Sequence, residues 1–163
     1  MNRKILIGVM GPGAGASEVD RKNAYELGKL IAQEGWVLLT GGRNMGVMDA
    51  ANQGAKAANG LTVGILPTDS DRGISDAVDI AIFTDMGSAR NNINVLSSDV
   101  VIGCGMGTGT ASEVALALKA NKSVILLSEH PESQQFFKSL SAARVSIAQT
   151  PVDAIAIVKD LLS

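Results

Sequence analysis

The sequence predicts an α/β fold, one three-layer domain over residues 1–163 with a parallel sheet and helices on both faces. Three observations carry this. Short runs of Val, Ile and Leu recur along the chain and alternate with segments of helical length, the pattern of βαβ units. Hydrophobic residues fill 46% of the 163 positions and aromatic residues only 3%, so the core is aliphatic, as in strands buried on both faces. Many of the 18 glycines fall where such a run ends and a helix begins.

Taken in order, Lys4 to Met10 reads as the first strand, closed by the loop Gly11-Pro-Gly-Ala-Gly15. Ser17 is placed to cap the next helix, with Asp20 three residues on. Tyr25, Leu27, Leu30 and Ile31 form its expected inner face, and Gly35 ends it. Trp36 to Thr40 is the second strand, Gly41 to Gly46 a second glycine turn, and Val47 to Ala58 a helix. Leu61 to Leu66 is the third strand. Thr68 to Ala77 is polar and aperiodic, a surface loop near the ligand edge or a mobile flap. Asp79 to Phe83 is a short strand, and Thr84 to Arg90 leads into a helix ending near Ser97. Val100 to Ile102 begins a buried strand, followed by glycines at 103, 105, 107 and 109 and a helix through Leu118. Ser123 to Leu127 is a strand, Pro131 to Leu140 a helix, and Val145 to Ala148 a strand. Pro151 opens a last helix, with Val152, Ile155, Lys159 and Leu162 as one stripe. Right-handed crossovers would bring the loops at 11–15, 41–46, 84–90 and 103–110 to the carboxyl edge of the sheet, where ligands of such folds bind.

Composition narrows the function. The formal net charge of −2, without a basic block, argues against nucleic acid and anionic membrane as partners. One cysteine excludes an internal disulfide and a cysteine-based zinc cluster, and it fits a reducing compartment. With one histidine, a metal site would have to be built of carboxylates, and none is expected. The apolar run at the N-terminus is too short for a signal peptide, so the expected location is cytoplasmic. The chain lacks G-x-x-x-x-G-K-[ST], and its first loop lacks G-x-G-x-x-G. It has no G-x-S-x-G elbow either, and its lone histidine has no obvious triad partner.

The stretch from Asp99 to Lys119 remains the organising feature. Strand, glycine turn and helix together point free backbone N–H groups at an anion, and the expected anion is the phosphate of a small nucleotide-like or pterin-like ligand. Arg43 and Arg90 flank these turns and could match phosphate oxygens with a planar fork. Thr110-x-x-Glu113 fits a capping box; equally, Glu113 could be an acid/base or a hydrogen-bond acceptor at the ligand edge. The residues expected to hold the ligand are Gly11 and Gly13 in the first loop and Gly41, Gly42, Arg43 and Gly46 in the second. Ser88 and Arg90 come from the third, with Gly105, Met106, Gly107, Thr108, Gly109, Thr110 and Glu113 from the fourth. Cys104 reads as a small buried thiol, His130 as an exposed loop residue, and Asp79 and Asp99 as strand starts far from the ligand. Helix 111–118 is apolar nearly all round, which predicts a second subunit against it.

Gly41-Gly-Arg-Asn-Met-Gly-Val-Met48, Gly87-Ser-Ala-Arg90 and Gly105-Met-Gly-Thr-Gly-Thr-Ala-Ser-Glu113 together resemble the LOG-like superfamily. Its best-known members are cytokinin-activating phosphoribohydrolases with the pattern P-G-G-x-G-T-x-x-E. That resemblance implies Arg90 and Glu113 as a catalytic pair releasing ribose 5-phosphate from a nucleoside monophosphate. Gly105-Met106-Gly107 stands where the hydrolases have Pro-Gly-Gly, and no lysine follows Arg90 at the usual place. In these departures the chain resembles the molybdenum cofactor carrier proteins of algae and their cyanobacterial relatives, through Gly8 to Gly13, Trp36 to Met48, Val63 to Pro67, Ile74 to Asp79 and Gly87 to Leu127. This resemblance implies a Rossmann-like homo-oligomer, tetramer or dimer. It would bind the molybdenum cofactor, protect it, and exchange it with cofactor-biosynthesis proteins or molybdenum enzymes.

Overall fold

The computed structural model describes residues 3–163; Met1 and Asn2, within the expected domain, lie outside the described residues. Seven strands form one sheet: β1 (Leu6–Met10), β2 (Val37–Thr40), β3 (Thr62–Leu66), β4 (Ile80–Phe83), β5 (Val100–Cys104), β6 (Ser123–Leu127) and β7 (Val145–Ile147). Their order is β4-β3-β2-β1-β5-β6-β7, and each named pair is parallel. The helices are α1 (Glu18–Gln33), α2 (Gly46–Ala57), α3 (Arg90–Ser97), α4 (Thr108–Lys119), α5 (Pro131–Leu140) and α6 (Pro151–Leu162), with a 3₁₀ turn at Gly87–Ala89 ahead of α3.

The two-residue period of the strands sends alternate side chains to two cores. Ile7, Val9, Ile102 and Ile125 pack with Leu27, Ile31, Val47, Ala51, Ile155 and Val158 beneath α1, α2 and α6. Met10, Val101, Val124 and Leu126 pack with Val95, Val114, Ala117 and Phe137 beneath α3, α4 and α5. That is the expected three-layer architecture.

Two details differ from the sequence expectation, and a third decides between alternatives. Tyr25 is exposed; the inner face of α1 is Ala24, Leu27, Gly28 and Ile31. The reason is the close approach of α2, where a Cβ on Gly28 would lie 2.0 Å from the Ala51 carbonyl oxygen and one on Gly54 1.9 Å from that of Tyr25. The two helices therefore meet backbone to backbone, which leaves no room for a ring between them. The buried stripe of α6 is Ala154, Ile155 and Val158, with Val152 and Leu162 exposed, because Ile155 and Ala154 stand three and four residues before Val158 and share its face. The 68–77 segment is the expected surface loop beside the ligand edge, tied to the turn after β2: the Asn44 N–H donates to the Gly73 carbonyl and the Ser75 N–H to that of Gly42, both at 2.9 Å.

At the amino edge of the sheet, Asp79 and Asp99 precede β4 and β5 and bind the neighbouring strands. Asp99 accepts from the Leu6 N–H at 2.9 Å and from the Arg3 guanidinium. Asp79 accepts from the Thr62 N–H at 3.0 Å and pairs with Lys56. Burial alone would raise both carboxyls, but these donors outweigh it and hold both below the usual range.

Candidate functional site

Crossovers from β1 run toward β2 and those from β5 toward β6, so the chain reverses direction between adjacent strands β1 and β5. The crevice beyond the carboxyl ends of strands at such a switch point is where doubly wound folds bind ligands. A cavity of about 430 Å³ lies there, within the roughly 300–1,000 Å³ range of small-molecule sites. The end of β1 and its loop supply Val9, Met10, Gly11, Pro12, Gly13 and Gly15. The turn after β2 and the start of α2 supply Gly41, Arg43, Met45 and Met48, and the loops around α3 supply Pro67, Gly87, Ser88, Arg90 and Asn91. Gly107, Thr108, Gly109, Thr110 and Glu113 of α4 complete the lining.

The capping box expected at Thr110 and Glu113 is absent. The helix begins two residues earlier, with Gly107 as N-cap in extended backbone and no side chain capping it. Thr110 is thus the third residue of the helix. Its hydroxyl oxygen is buried with no hydrogen-bond partner, and Thr110 itself is 1% exposed. The first helical hydrogen bond returns from the Ala111 N–H to the Gly107 carbonyl, so the N–H groups of residues 108–110 have no acceptor within the helix. Helices α1 and α6 differ: Ser17 with Asp20, and Thr150 with Asp153, form complete capping boxes. The α2 N-terminus, where Met45 is the N-cap, also has no side-chain cap.

Arg90, 9% exposed, reaches from the start of α3 into the same cavity. Its Nη1 donates to Asn91 Oδ1 at 2.6 Å and its Nη2 to the Gly41 carbonyl at 3.4 Å, while Nε is buried and unpartnered. Burial lowers its pKa; Glu113 opposes that shift and the charge of Arg43 adds to it. Both guanidinium groups therefore act on one small volume, and arginine stays protonated. Glu113 lies 3.9 Å from Arg90 Nη1 and accepts from Asn94 Nδ2 at 2.9 Å. Burial pushes its carboxyl up to about 7, against the Asn94 hydrogen bond and the nearby Arg90 charge. Neutral donors, two cations and one carboxyl that titrates near neutrality thus share the cavity, a set suited to an anion with a polar remainder.

Eleven of the fifteen expected ligand residues line this cavity: Gly11, Gly13, Gly41, Arg43, Ser88, Arg90, Gly107, Thr108, Gly109, Thr110 and Glu113. Gly42, Gly46, Gly105 and Met106 do not. Gly42 faces Leu66 and Gly64, and Gly105, at φ +75°, turns toward the Asp20 side chain. Gly46, at φ +57°, lies against the Pro12 and Gly13 carbonyls, and Met106 packs beside the core under α4. Sequence reasoning missed Val9, Met10, Pro12, Gly15, Met45, Met48, Pro67, Gly87 and Asn91 as lining, and Asn94 as the partner of Glu113. Pro12, Gly15, Met45 and Gly87 lie in the loops the sequence already places at this edge, and Met48 lies in the second glycine motif, so the signal was the loop and not the individual residue.

Cys104 is buried, donates from Sγ to the Asp20 carbonyl at 3.4 Å, and has its thiol pKa pushed well up by burial and by Asp20. It is an inert packing group. His130 is exposed at the start of α5. Among the described residues no cluster of three or more His, Cys, Asp or Glu could hold a metal, and no helix is long and apolar enough to cross a membrane.

Comparison with known proteins places the chain in a family. Residues 4–155 match the model of the SLOG cluster4 family. The molybdenum cofactor binding protein from the phototrophic bacterium Rippkaea orientalis superposes with a TM-score of 0.98 at 62% identity, covering 99% of each chain. The molybdenum cofactor carrier protein of Chlamydomonas reinhardtii superposes with a TM-score of 0.94 at 57% identity, over 98% of this chain and 99% of that one. A cytokinin riboside 5'-monophosphate phosphoribohydrolase of Mycobacterium tuberculosis is 37% identical over 56% of this chain, a stretch spanning 50% of that enzyme.

Proposed function

The chain belongs to the SLOG cluster4 family, and on that premise we propose that it is a carrier of the molybdenum cofactor, with the cofactor's terminal phosphate at the N-terminus of α4. One observation carries the phosphate half of this reading. The buried Thr110 Oγ1 and Arg90 Nε have no partner in the protein, and both residues line the cavity into which α4 presents uncapped N–H groups. A monophosphate there would meet the N–H groups of α4 directly, and Thr110 Oγ1 and Arg90 Nε once their side chains turn toward it. The identity of the rest of the ligand is supported by the chain-long likeness to proteins named for binding or carrying this cofactor.

The donors are mostly neutral backbone N–H groups joined by two arginines, a set that suits an exchangeable anion better than a deeply buried ion cluster would. Glu113 then accepts from polar groups of the ligand without breaking a bond. Exchange with cofactor-biosynthesis proteins or molybdenum enzymes, a cytoplasmic location and a homo-oligomeric state belong to the same reading. Ile80, Ile82 and Phe83 on the edge strand β4 are exposed, an apolar edge of the kind another chain covers. The test is direct: incubate the protein with the cofactor, desalt it, and measure molybdenum and pterin. About one equivalent of each per chain is expected. Retention no greater than that of an unrelated protein of equal size would end the proposal.

A second reading, hydrolysis of a nucleoside 5'-monophosphate, has its own observation: Glu113, with its carboxyl near neutrality, lies 3.9 Å from the Arg90 guanidinium. Against it, residue 105 has φ +75°, which the proline of the hydrolase pattern cannot adopt. On this reading the protein releases free base from AMP and Glu113→Gln abolishes release. The carrier reading expects no release from either protein.

A further inference from the structure

The geometry points to a thioether wall in the cavity: Met45 and Met48 form the surface against which the flat ring of a heterocyclic monophosphate lies. This deepens the phosphate reading above and rests on it. Of the chain's six methionines, Met45 and Met48 bring half-buried side chains to this one cavity, whereas Met10, also at its lining, is buried in the core with its Cε beside Gly8. None of its aromatic side chains does.

The placement is built. A Cβ on Gly13 would lie 3.0 Å from Met45 Sδ and 3.6 Å from Met48 Cε, and a Cβ on Gly41 would lie 2.7 Å from Met48 Sδ and 2.7 Å from Arg90 Nη2. Two glycines thus make room for two thioethers, and the second thioether runs up to the guanidinium assigned to the phosphate. Met45 is also the N-cap of α2, a position that favours Ser, Thr, Asp or Asn, and it gives that helix no side-chain cap. A local preference overridden at the rim of a cavity marks a functional choice. Met106 is the internal contrast, since it packs beside the core under α4 and does not reach the cavity.

The cavity is therefore two-sided. Helix α4 and Arg90 present hydrogen-bond donors, while α2 presents polarizable sulfur and methyl groups that make favourable contacts with aromatic rings and demand no hydrogen bonds. A sugar or glycerol phosphate would use only the first side. A ligand that joins a phosphate to a flat heterocycle uses both.

The probes are a fluorescent pterin monophosphate, followed by anisotropy, and glycerol 3-phosphate, measured as its competitor. The wild-type protein is expected to hold the pterin monophosphate at least tenfold more tightly than glycerol 3-phosphate. The Met45→Ala/Met48→Ala protein should lose about tenfold for the pterin ligand and less than twofold for glycerol 3-phosphate. Met48→Leu, which keeps apolar bulk, should stay close to wild type. Equal losses for both probes, or no loss for either, overturn the wall while leaving the phosphate grip standing. Equal wild-type affinity for the two probes overturns it without any variant. Binding of neither probe overturns the phosphate reading and the wall together.

Discussion

The two edges of the sheet treat their polar groups in opposite ways. At the amino edge, Asp79 and Asp99 are each bound by a backbone N–H of the next strand and by a basic side chain, and Thr62 donates to the Ala77 carbonyl and accepts from the Asp79 N–H. At the carboxyl edge, Arg90 Nε and Thr110 Oγ1 are buried without partners and the helix beside them is uncapped. Leaving a buried polar group unmatched costs on the order of 1–3 kcal/mol. Asn52 Nδ2 and Asn94 Oδ1 are also unmatched and lie off the cavity, so it is the pairing of Arg90 Nε and Thr110 Oγ1 with an uncapped helix at one cavity that sets this edge apart.

The largest expected effect is on stability, at Glu113. Its carboxyl sits at about 7, raised from 4.5, so between those values the folded chain holds a proton that the unfolded chain has released. Stability therefore falls as pH rises from about 4.5 to 7, and the full penalty, on the order of 3 kcal/mol, persists above that range. Glu113→Gln keeps an acceptor for Asn94 and cannot ionise. Its Tm should exceed wild type by roughly 5–10 °C at pH 8 and match it at pH 4. A constant offset at all pH values would remove the buried carboxylate from the contrast. Next comes Arg90→Ala, which should weaken cofactor retention on the order of 100-fold, the worth of charge-assisted bonds to a phosphate. Equal retention would move the ligand away from the carboxyl edge.

A matched pair sharpens the contrast further. Thr110→Val removes a hydroxyl that bonds to nothing in the protein, so Tm should hold or rise while ligand affinity falls about tenfold. Thr62→Val removes a hydroxyl that is bonded on both sides, so stability should drop by about 1–2 kcal/mol with affinity unchanged. If both variants lose stability and neither loses affinity, the two edges are not different in kind.

Much of this was readable in the chain and some was not, for definite reasons. Aliphatic runs and glycine turns specify the alternation of strand and helix because parallel strands need both. Ser17 and Asp20 were readable as a cap because the cap is local. Thr110 and Glu113 present the same four-residue pattern, yet α4 starts at Thr108 and Glu113 turns to Asn94 of α3, a partner 19 residues away. Local pattern cannot tell a cap from a site when a tertiary partner competes. The methionines were hidden for another reason, since Met in an apolar sequence reads as core filler. The tight α1–α2 contact was hidden because Gly28 and Gly54 act through the absence of a side chain.

The smallest effect concerns the amino edge alone. Asp99 is held below the ordinary carboxylate range, so its contribution is present above the unfolded value of 3.8 and is lost as pH falls through the lower folded value. Asp99→Asn cannot ionise. It leaves Leu6 N–H an acceptor but gives up the charge facing Arg3 and Lys122. Its Tm should lie modestly below wild type at pH 7, and the gap should narrow as the pH is taken below 4, where wild type loses the same charge. Cofactor retention at pH 7 should not change, because Asp99 stands at the opposite end of β5 from the cavity. A change in retention would mean that the two edges communicate along β5, and that the polar groups of the carboxyl edge are set by strand register as well as by ligand.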